Sequence, residues 1–357
     1  MSSSNVGGTS KSNDDVCEVN DMLQNMSTAG MISTHDVSVC SNCGKEGDNN
    51  EISNMCNKCK QVKYCNATCK KKHRHKHKKE CEEHVRLAAE HATKLRDEEL
   101  RLAAEKHDEE LFKQPSPEDD CPICFIRLPL GTGMTYMSCC GKRICNGCIH
   151  APVYDNQGNL VDIDKQNECP FCRVVAPKSD AEIIKRTKKR AEKDDPFAIY
   201  KLGVWYDNGL YGYPQDCTKA LEHYHRAGEL GDARAYNSIG YSYEHGEGVG
   251  ADMKKAKHYY EQAAMGGDSM ARQSLGNSEV RVGNMDRALR HYMIAVKSGE
   301  SDSLENVKRL YSAGYATKED YMKALQAYQE YLGEIKSVQR DKAVAAHDKF
   351  KYYGSGV

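Results

Sequence analysis

The sequence is poor in large hydrocarbon aromatics: one tryptophan and five phenylalanines in 357 residues. A large β core is therefore not expected. Twenty-one tyrosines carry the aromatic content, and a tyrosine- and alanine-rich chain suits helical repeats better. Charge of one sign is lacking too. Lys plus Arg number 51 and Asp plus Glu 52, a net charge of -1, so no bulk attraction to nucleic acid or membrane arises. No apolar run approaches the roughly 20 residues that cross a bilayer. The opening MSSSNVGGTSKSNDD lacks the basic-then-apolar pattern of a secretory leader. Cysteine, by contrast, is abundant, with 17 residues. So many thiols without a leader predict an intracellular protein, cytoplasmic and/or nuclear, whose thiolates bind metal instead of pairing as disulfides.

The cysteines fall into two clusters. In the first, Cys40-x-x-Cys43 and Cys56-x-x-Cys59 are followed by Cys65-x-x-x-Cys69 and His77-x-x-x-Cys81. A C-x-x-C pair on a tight turn points both sulfurs at one ion. A spacing of four does the same from one face of a helix. Eight such ligands suffice for two tetrahedral zinc sites. His73 and His75 are spare in this pattern. The second cluster is organised by Cys121-x-x-Cys124, Cys145-x-x-Cys148 and Cys169-x-x-Cys172, with the adjacent pair Cys139-Cys140 between the first two. Four zinc ions are expected in all, two per cluster.

Residues 1–39 are polar, without apolar period, and read as disordered, with Cys17 a lone thiol. Lys70 to Lys79, KKKHRHKHKK, reads as the solvated face of the helix carrying His77 in preference to a nuclear-import or nucleic-acid patch. Residues 82–114 form a charged helix without Pro or Gly. Glu90–Lys94 and Asp97–Arg101 are pairs in the favourable order. Its heptad fails at Glu99 and Lys106, so a solvated spacer is favoured over a coiled coil. QPSPEDD then breaks the helix, and the second cluster lies within 115–178, its last loop containing the turn signal YDNQGN. A basic connector helix follows at 179–194.

From Asp195 the chain is periodic. Segments starting at Ala198, Ala235 and Ala271 align at steps of 37 and 36 residues. Each is followed by a second helical pattern with an N-cap candidate (Asp216, Asp252, Asn284, Asp320) four before an alanine and a tyrosine (Tyr224, Tyr260, Tyr292, Tyr328) four after it. Gly231, Gly267 and Gly299 close the units. A helix-pair period near 36 predicts an α-solenoid over 195–340, degenerate in its fourth unit, with a tail at 341–357.

The first cluster resembles the MYND zinc finger. The resemblance implies interleaved sites: Cys40, Cys43, Cys65 and Cys69 on one ion; Cys56, Cys59, His77 and Cys81 on the other. The family usually carries a tryptophan three residues before the ligand histidine and binds short proline-containing peptides; here Arg74 stands there. The second cluster is similar to RING domains. That likeness pairs Cys121, Cys124, Cys145 and Cys148 on one ion, and Cys139, Cys140, Cys169 and Cys172 on the other. Most RING domains have a histidine where Lys142 falls. Either the adjacent cysteines fill both positions, as an all-cysteine variant, or His150 is a distant substitute. Ile123, Pro170 and Arg173 match positions that contact a ubiquitin-conjugating enzyme and its charged ubiquitin in ligase members. The periodic region resembles Sel-one-like repeats, kin of tetratricopeptide repeats. The combination resembles multidomain proteins of diatoms and related algae.

The expected fold is multidomain: two small zinc-stabilised fingers joined by a long charged helix, then an all-α helix-pair solenoid. The resemblances imply a RING-type ubiquitin ligase or adaptor. It would recruit a conjugating enzyme through the RING-like finger, and a peptide or protein substrate through the repeats and the MYND finger. The alternative is a non-enzymatic protein-interaction scaffold. Neither needs a catalytic acid, base or nucleophile from this chain, and neither points to nucleic acid or membrane. If the fingers fold independently of the solenoid, chelation should unfold residues 40–175 and leave the helical signal intact.

Overall fold

The computed structural model describes residues 38–48, 50–115, 119–152, 168–346 and 348–352. Cys17 and the YDNQGN turn lie outside the described residues, as does the expected disordered stretch apart from Ser38 and Val39. The chain divides into two units, Met1–Leu102 and Ala103–Val357.

In the first unit, β1 (Ser38–Val39) pairs antiparallel with β2 (Glu46–Gly47), and β3 (Asn54–Met55) with β4 (Lys63–Tyr64). Their small core is Cys40, Ile52 and Tyr64. A helix, α1 (Ala67–Leu111), then runs uninterrupted for 45 residues. It opens inside the finger, not at residue 82, because Asn66 supplies its cap: Oδ1 accepts from the Cys69 amide at 2.8 Å. Beyond Cys81 its side chains are exposed all round as far as His107. Arg86 bridges Glu83 and Glu90, each at 2.6 Å, and Arg101 approaches Glu98 at 3.8 Å. These are different partners from those the spacing suggested.

In the second unit, β5 (Met134–Met137) and β6 (Lys142–Cys145) form a hairpin followed by the short α2 (Asn146–His150). Then come α3 (Asp180–Ala191) and four helix pairs: α4 (Pro196–Asn208) with α5 (Cys217–Glu229), α6 (Ala233–His245) with α7 (Met253–Met265), α8 (Ser269–Arg281) with α9 (Met285–Lys297), and α10 (Ser301–Ser312) with α11 (Lys318–Ile335). Helix α12 (Val338–Ala346) and a 3-10 turn at Asp348–Phe350 end the described chain.

The repeat signature has a packing cause. Ala220, Ala256, Ala288 and Ala324 are buried at the helix crossings. A Cβ on Gly203, Gly240 or Gly276 would meet the ring of Tyr224, Tyr260 or Tyr292 respectively. Each tyrosine hydroxyl then donates back to the preceding helix, to Asp207 (3.2 Å), Glu244 (2.8 Å) and Asn277 (2.7 Å). Asp216 and Asp252 cap their helices as the spacing requires. Asn284 stands at an N-cap but makes no side-chain cap bond, its amide donating to Glu279 instead. In the last pair the cap is Thr317; Asp320 is its partner in a capping box.

Candidate metal centres

Four ligand sets are assembled, and in each the ligand atoms lie within 4.8 Å of one another: Cys40, Cys43, Cys65, Cys69; Cys56, Cys59, His77, Cys81; Cys121, Cys124, Cys145, Cys148; and Cys139, Cys140, Cys169, Cys172. All sixteen residues singled out by spacing are thus brought together, in the interleaved sets that the resemblances implied.

Four of the five C-x-x-C pairs converge through one local geometry; the fifth, Cys145 and Cys148, is set by the start of α2. In the four, the residue after the second cysteine turns left-handed, and its N–H bonds to the carbonyl of the first. Gly44, Lys60, Phe125 and Arg173 have φ of 71, 58, 56 and 63°. Their amides reach the carbonyls of Cys40, Cys56, Cys121 and Cys169 at 2.9, 3.1, 2.9 and 2.9 Å. Only Gly44 adopts that region without steric cost, so the other three are held there by the fold. Of the remaining ligands of the first finger, Cys65 follows β4 directly, and Cys69, His77 and Cys81 ride on the start of α1, where His77 and Cys81, four apart, share a face.

The adjacent pair Cys139-Cys140 is resolved by the hairpin. Its tip is Ser138 to Gly141, closed by Gly141 N–H to Met137 O at 2.8 Å, with Gly141 at φ 73°. At so sharp a turn neighbouring side chains converge, and Cys139 and Cys140 stand 3.4 and 3.9 Å from Cys172 and Cys169. Lys142 has left the tip: it is paired with Met137 on β6 and exposed. His150 is buried against Phe350, outside the ligand set.

The donor sets fit zinc. Two sulfurs each about 2.3 Å from a tetrahedral ion are about 3.8 Å apart. Sulfur separations here include 3.7 Å for Cys43–Cys65, 3.6 Å for Cys56–Cys81 and for Cys65–Cys69, and 3.8 Å for Cys124–Cys145. Charge makes the same case. In the first set the Cys40 thiol is lowered to about 6, chiefly by the Cys65 backbone N–H, while burial and then the neighbouring thiols push Cys65 up to about 12. In the third, hydrogen bonds from Cys145 and Cys148 hold Cys121 far below the usual range, and Cys148 is driven up. Four thiols this close cannot all ionise without a cation. Bound zinc would supply that charge. Each set offers four ligands, so an ion held there would be structural, with no position left for a substrate.

Outer contacts orient the ligands. His77 Nε2 lies 3.2 Å from Cys59, and its Nδ1 faces Glu80 at 3.6 Å. His73, a spare histidine by spacing, is hydrogen-bonded through Nδ1 with the Tyr64 hydroxyl at 3.2 Å and stacks on His77, with ring centroids 5.9 Å apart. Arg340 is buried beside Cys145, whose thiol is pushed up, first by its hydrogen bond with Cys121; the guanidinium acts in the opposite direction. Spacing could not find it, because it lies nearly two hundred residues downstream.

Of the expected partner-binding residues, Ile123 packs partly against the cluster core, Pro170 is half-buried and Arg173 is exposed. Phe125 and Phe171, which spacing did not single out, are 77 % and 44 % exposed on the same two loops. Arg74 is exposed on α1.

The second cysteine module touches both ends of the helix array. At the start, the Tyr136 hydroxyl donates to Asp195 at 2.9 Å, and its ring stacks on Phe197 at 4.3 Å. At the far end, Leu130 N–H reaches the Tyr331 hydroxyl at 2.8 Å, and Arg127 pairs with Glu334 at 2.5 Å. Arg340 donates to the carbonyls of Ile126 (3.2 Å), Arg127 (2.8 Å) and Ile335 (2.5 Å).

Among the described residues no helix is long and apolar enough to cross a membrane. No curated protein matches the chain. A Sel1 repeat protein from Oxalobacter formigenes is 28% identical over 44% of this chain and 67% of its own, with a TM-score of 0.39. The protective antigen c5321 of uropathogenic Escherichia coli, which displays an SLR fold, is 22% identical over 48% of this chain and 43% of its own, also with a TM-score of 0.39. The family matches are the MYND finger at residues 40–81 and the Sel1 repeat at residues 196–232 and 233–268, so the first finger is similar to MYND fingers and the first two helix pairs to Sel1 repeats.

Proposed function

We propose that this chain is a zinc-stapled protein-interaction scaffold whose helix-pair array and MYND-type finger hold partner proteins. The observation that carries this reading is the tie of the second cysteine module to the first and last helices of the array. A zinc module used in this way serves the shape of a binding surface and leaves the binding to the surface. MYND-type and Sel1-type modules, both protein-binding, support the same reading. Full-length, metal-loaded protein is expected to retain defined protein partners and to release them on chelation. Retention that is indifferent to chelator, or no partner at all, would count against it.

A second reading is a RING-type ubiquitin ligase. The exposed Phe125 and Phe171, on the loops that carry Ile123 and Pro170, favour it, because exposed aromatics on rigid loops suit partner contact. Metal-loaded protein would then catalyse its own ubiquitination with some conjugating enzyme, and Ile123→Ala or Arg173→Ala would abolish this with zinc content unchanged. No transfer across a broad enzyme panel eliminates the ligase and leaves the scaffold. Both readings place the chain in a reducing cytoplasmic or nuclear compartment, which imaging of the tagged protein tests.

A further inference from the structure

The last turn of α1 sits in a groove between α7, α8 and α9. Leu111 is fully buried there against Tyr260, Ala263, Ala264, Ala271 and Leu275. Beside it Phe112 is half-buried. Arg290 and Arg287 stand over its ring, 3.6 and 5.0 Å from the centroid, and His291 packs on it at 4.5 Å. Arg272, buried, donates to the carbonyl of Leu111 and reaches that of Lys113 at 3.4 Å, so it caps the free end of the helix. Asp108 pairs with Arg287.

The neighbouring repeats show that this is a specialised surface. Aligned on Ala198, Ala235 and Ala271, the positions of Arg272 and Glu279 are Ile199 and Tyr206 in the first pair, and Tyr236 and Tyr243 in the second. Aligned on the tyrosine four after the crossing alanine, His291 corresponds to His223 and Tyr259. The first two pairs close this place with their own stacked rings, Tyr206 on His223 at 5.5 Å and Tyr243 on Tyr259 at 5.6 Å. The third has no such pair. It presents Arg272, Glu279 and His291, all buried, and takes its aromatic ring from Phe112. Arg272 Nε and both His291 nitrogens have no hydrogen-bond partner among the described residues. Buried charge is costly in a helix-packing core. Its use here is to read a helix end: a guanidinium for the last carbonyls, another for an acidic residue one turn back, and a cationic collar for an aromatic ring.

We propose that the groove of α7, α8 and α9 is a recognition seat for a helix ending in acidic-x-x-Leu-Phe, filled in cis by Asp108–Phe112 and open to a partner helix of the same chemistry when that segment leaves. The seat deepens the scaffold reading by naming a partner class, and rests on it only for its biological use. The probe is a labelled peptide of Ala103–Gln114, AAEKHDEELFKQ, titrated against the full-length protein. The double variant Leu111→Ala/Phe112→Ala, which empties the seat, is expected to bind it saturably and at least tenfold more tightly than wild type does. Adding Arg290→Ala, an exposed position, should abolish that gain, as should a peptide carrying the Phe112→Ala change. Circular dichroism checks that the variants stay folded. If the double variant does not, amide exchange on Arg290→Ala alone replaces the titration. Exchange at Leu111–Lys113 should then rise at least tenfold while α4 to α6 are unchanged. Equal binding to both proteins, no binding to a folded double variant, or unchanged exchange overturns the seat. Partner retention that survives any of these outcomes leaves the scaffold reading standing.

Discussion

At the scale of the residue, position on a turn decides ligation more than residue type does. Lys142 follows the adjacent cysteines by two residues, yet its strand pairing keeps it out of the ligand set. Lys142→His should therefore leave the zinc stoichiometry at four, whereas Cys139→Ser should lower it to about three, read by native mass spectrometry. Arg340 is buried and gathers three carbonyls from two parts of the chain. Arg340→Ala removes the side-chain donor from the Arg127 and Ile335 carbonyls, while the Ile126 carbonyl keeps the Cys121 N–H, and should cost about 3 kcal/mol in a denaturant titration, with zinc content unchanged at neutral pH. His291 provides an acid response. Burial, and then the guanidinium groups of Arg272 and Arg287, lower its pKa to about 3, with Glu279 acting in the opposite direction and Lys257 in the same. The unfolded chain, with its histidine near 6.5, binds the proton first. Stability from this group is complete above about pH 6.5 and falls by about 1.4 kcal/mol per pH unit as acid is added down to pH 3. His291→Phe should remove that part of the acid slope in stability curves measured between pH 4 and 7.

At the scale of the element, the helix pairs rest on glycine facing tyrosine. Gly240→Ala puts a methyl group into the Tyr260 ring. The overpacking should destabilise the array by about 1–3 kcal/mol, with a lower thermal midpoint and little change in helical content. Helix α1 was legible as a helix because it lacks Pro and Gly across 45 residues. That it is continuous with the helix carrying His77 was not legible, because the ligand spacing of Cys69, His77 and Cys81 reads as part of the finger. Its exposed middle reads as a solvated rod, and its end carries the only two consecutive large apolar side chains of that stretch, Leu111 and Phe112. Their destination could not be read locally, because Arg272 and His291 lie far along the chain.

At the scale of the whole second unit, the zinc module and the array are not separate folding problems. The module holds Asp195 and Phe197 at one end, and Tyr331, Glu334 and α12 at the other. Chelation is therefore expected to lower the melting temperature of the helical signal as well as to unfold the cysteine modules. The independence suggested by the sequence pattern gives way because folded ligand loops carry those contacts. A helical transition unmoved by chelator would show that the ends hold without the module.

The sequence by itself determined the paired candidate ligands, all but Cys139 and Cys140, since C-x-x-C and four-residue spacings are local geometry. It likewise determined the helix pairs, since the alanine, tyrosine and glycine period is a packing rule repeated along the chain. Tertiary structure alone decided three things: that a hairpin tip makes adjacent cysteines ligands, that Arg340 joins the last helix to the cysteine module, and that the third helix pair receives the end of α1. Each depends on residues distant in sequence meeting at one place, where burial and unpaired carbonyls fix the partner and no local spacing records it.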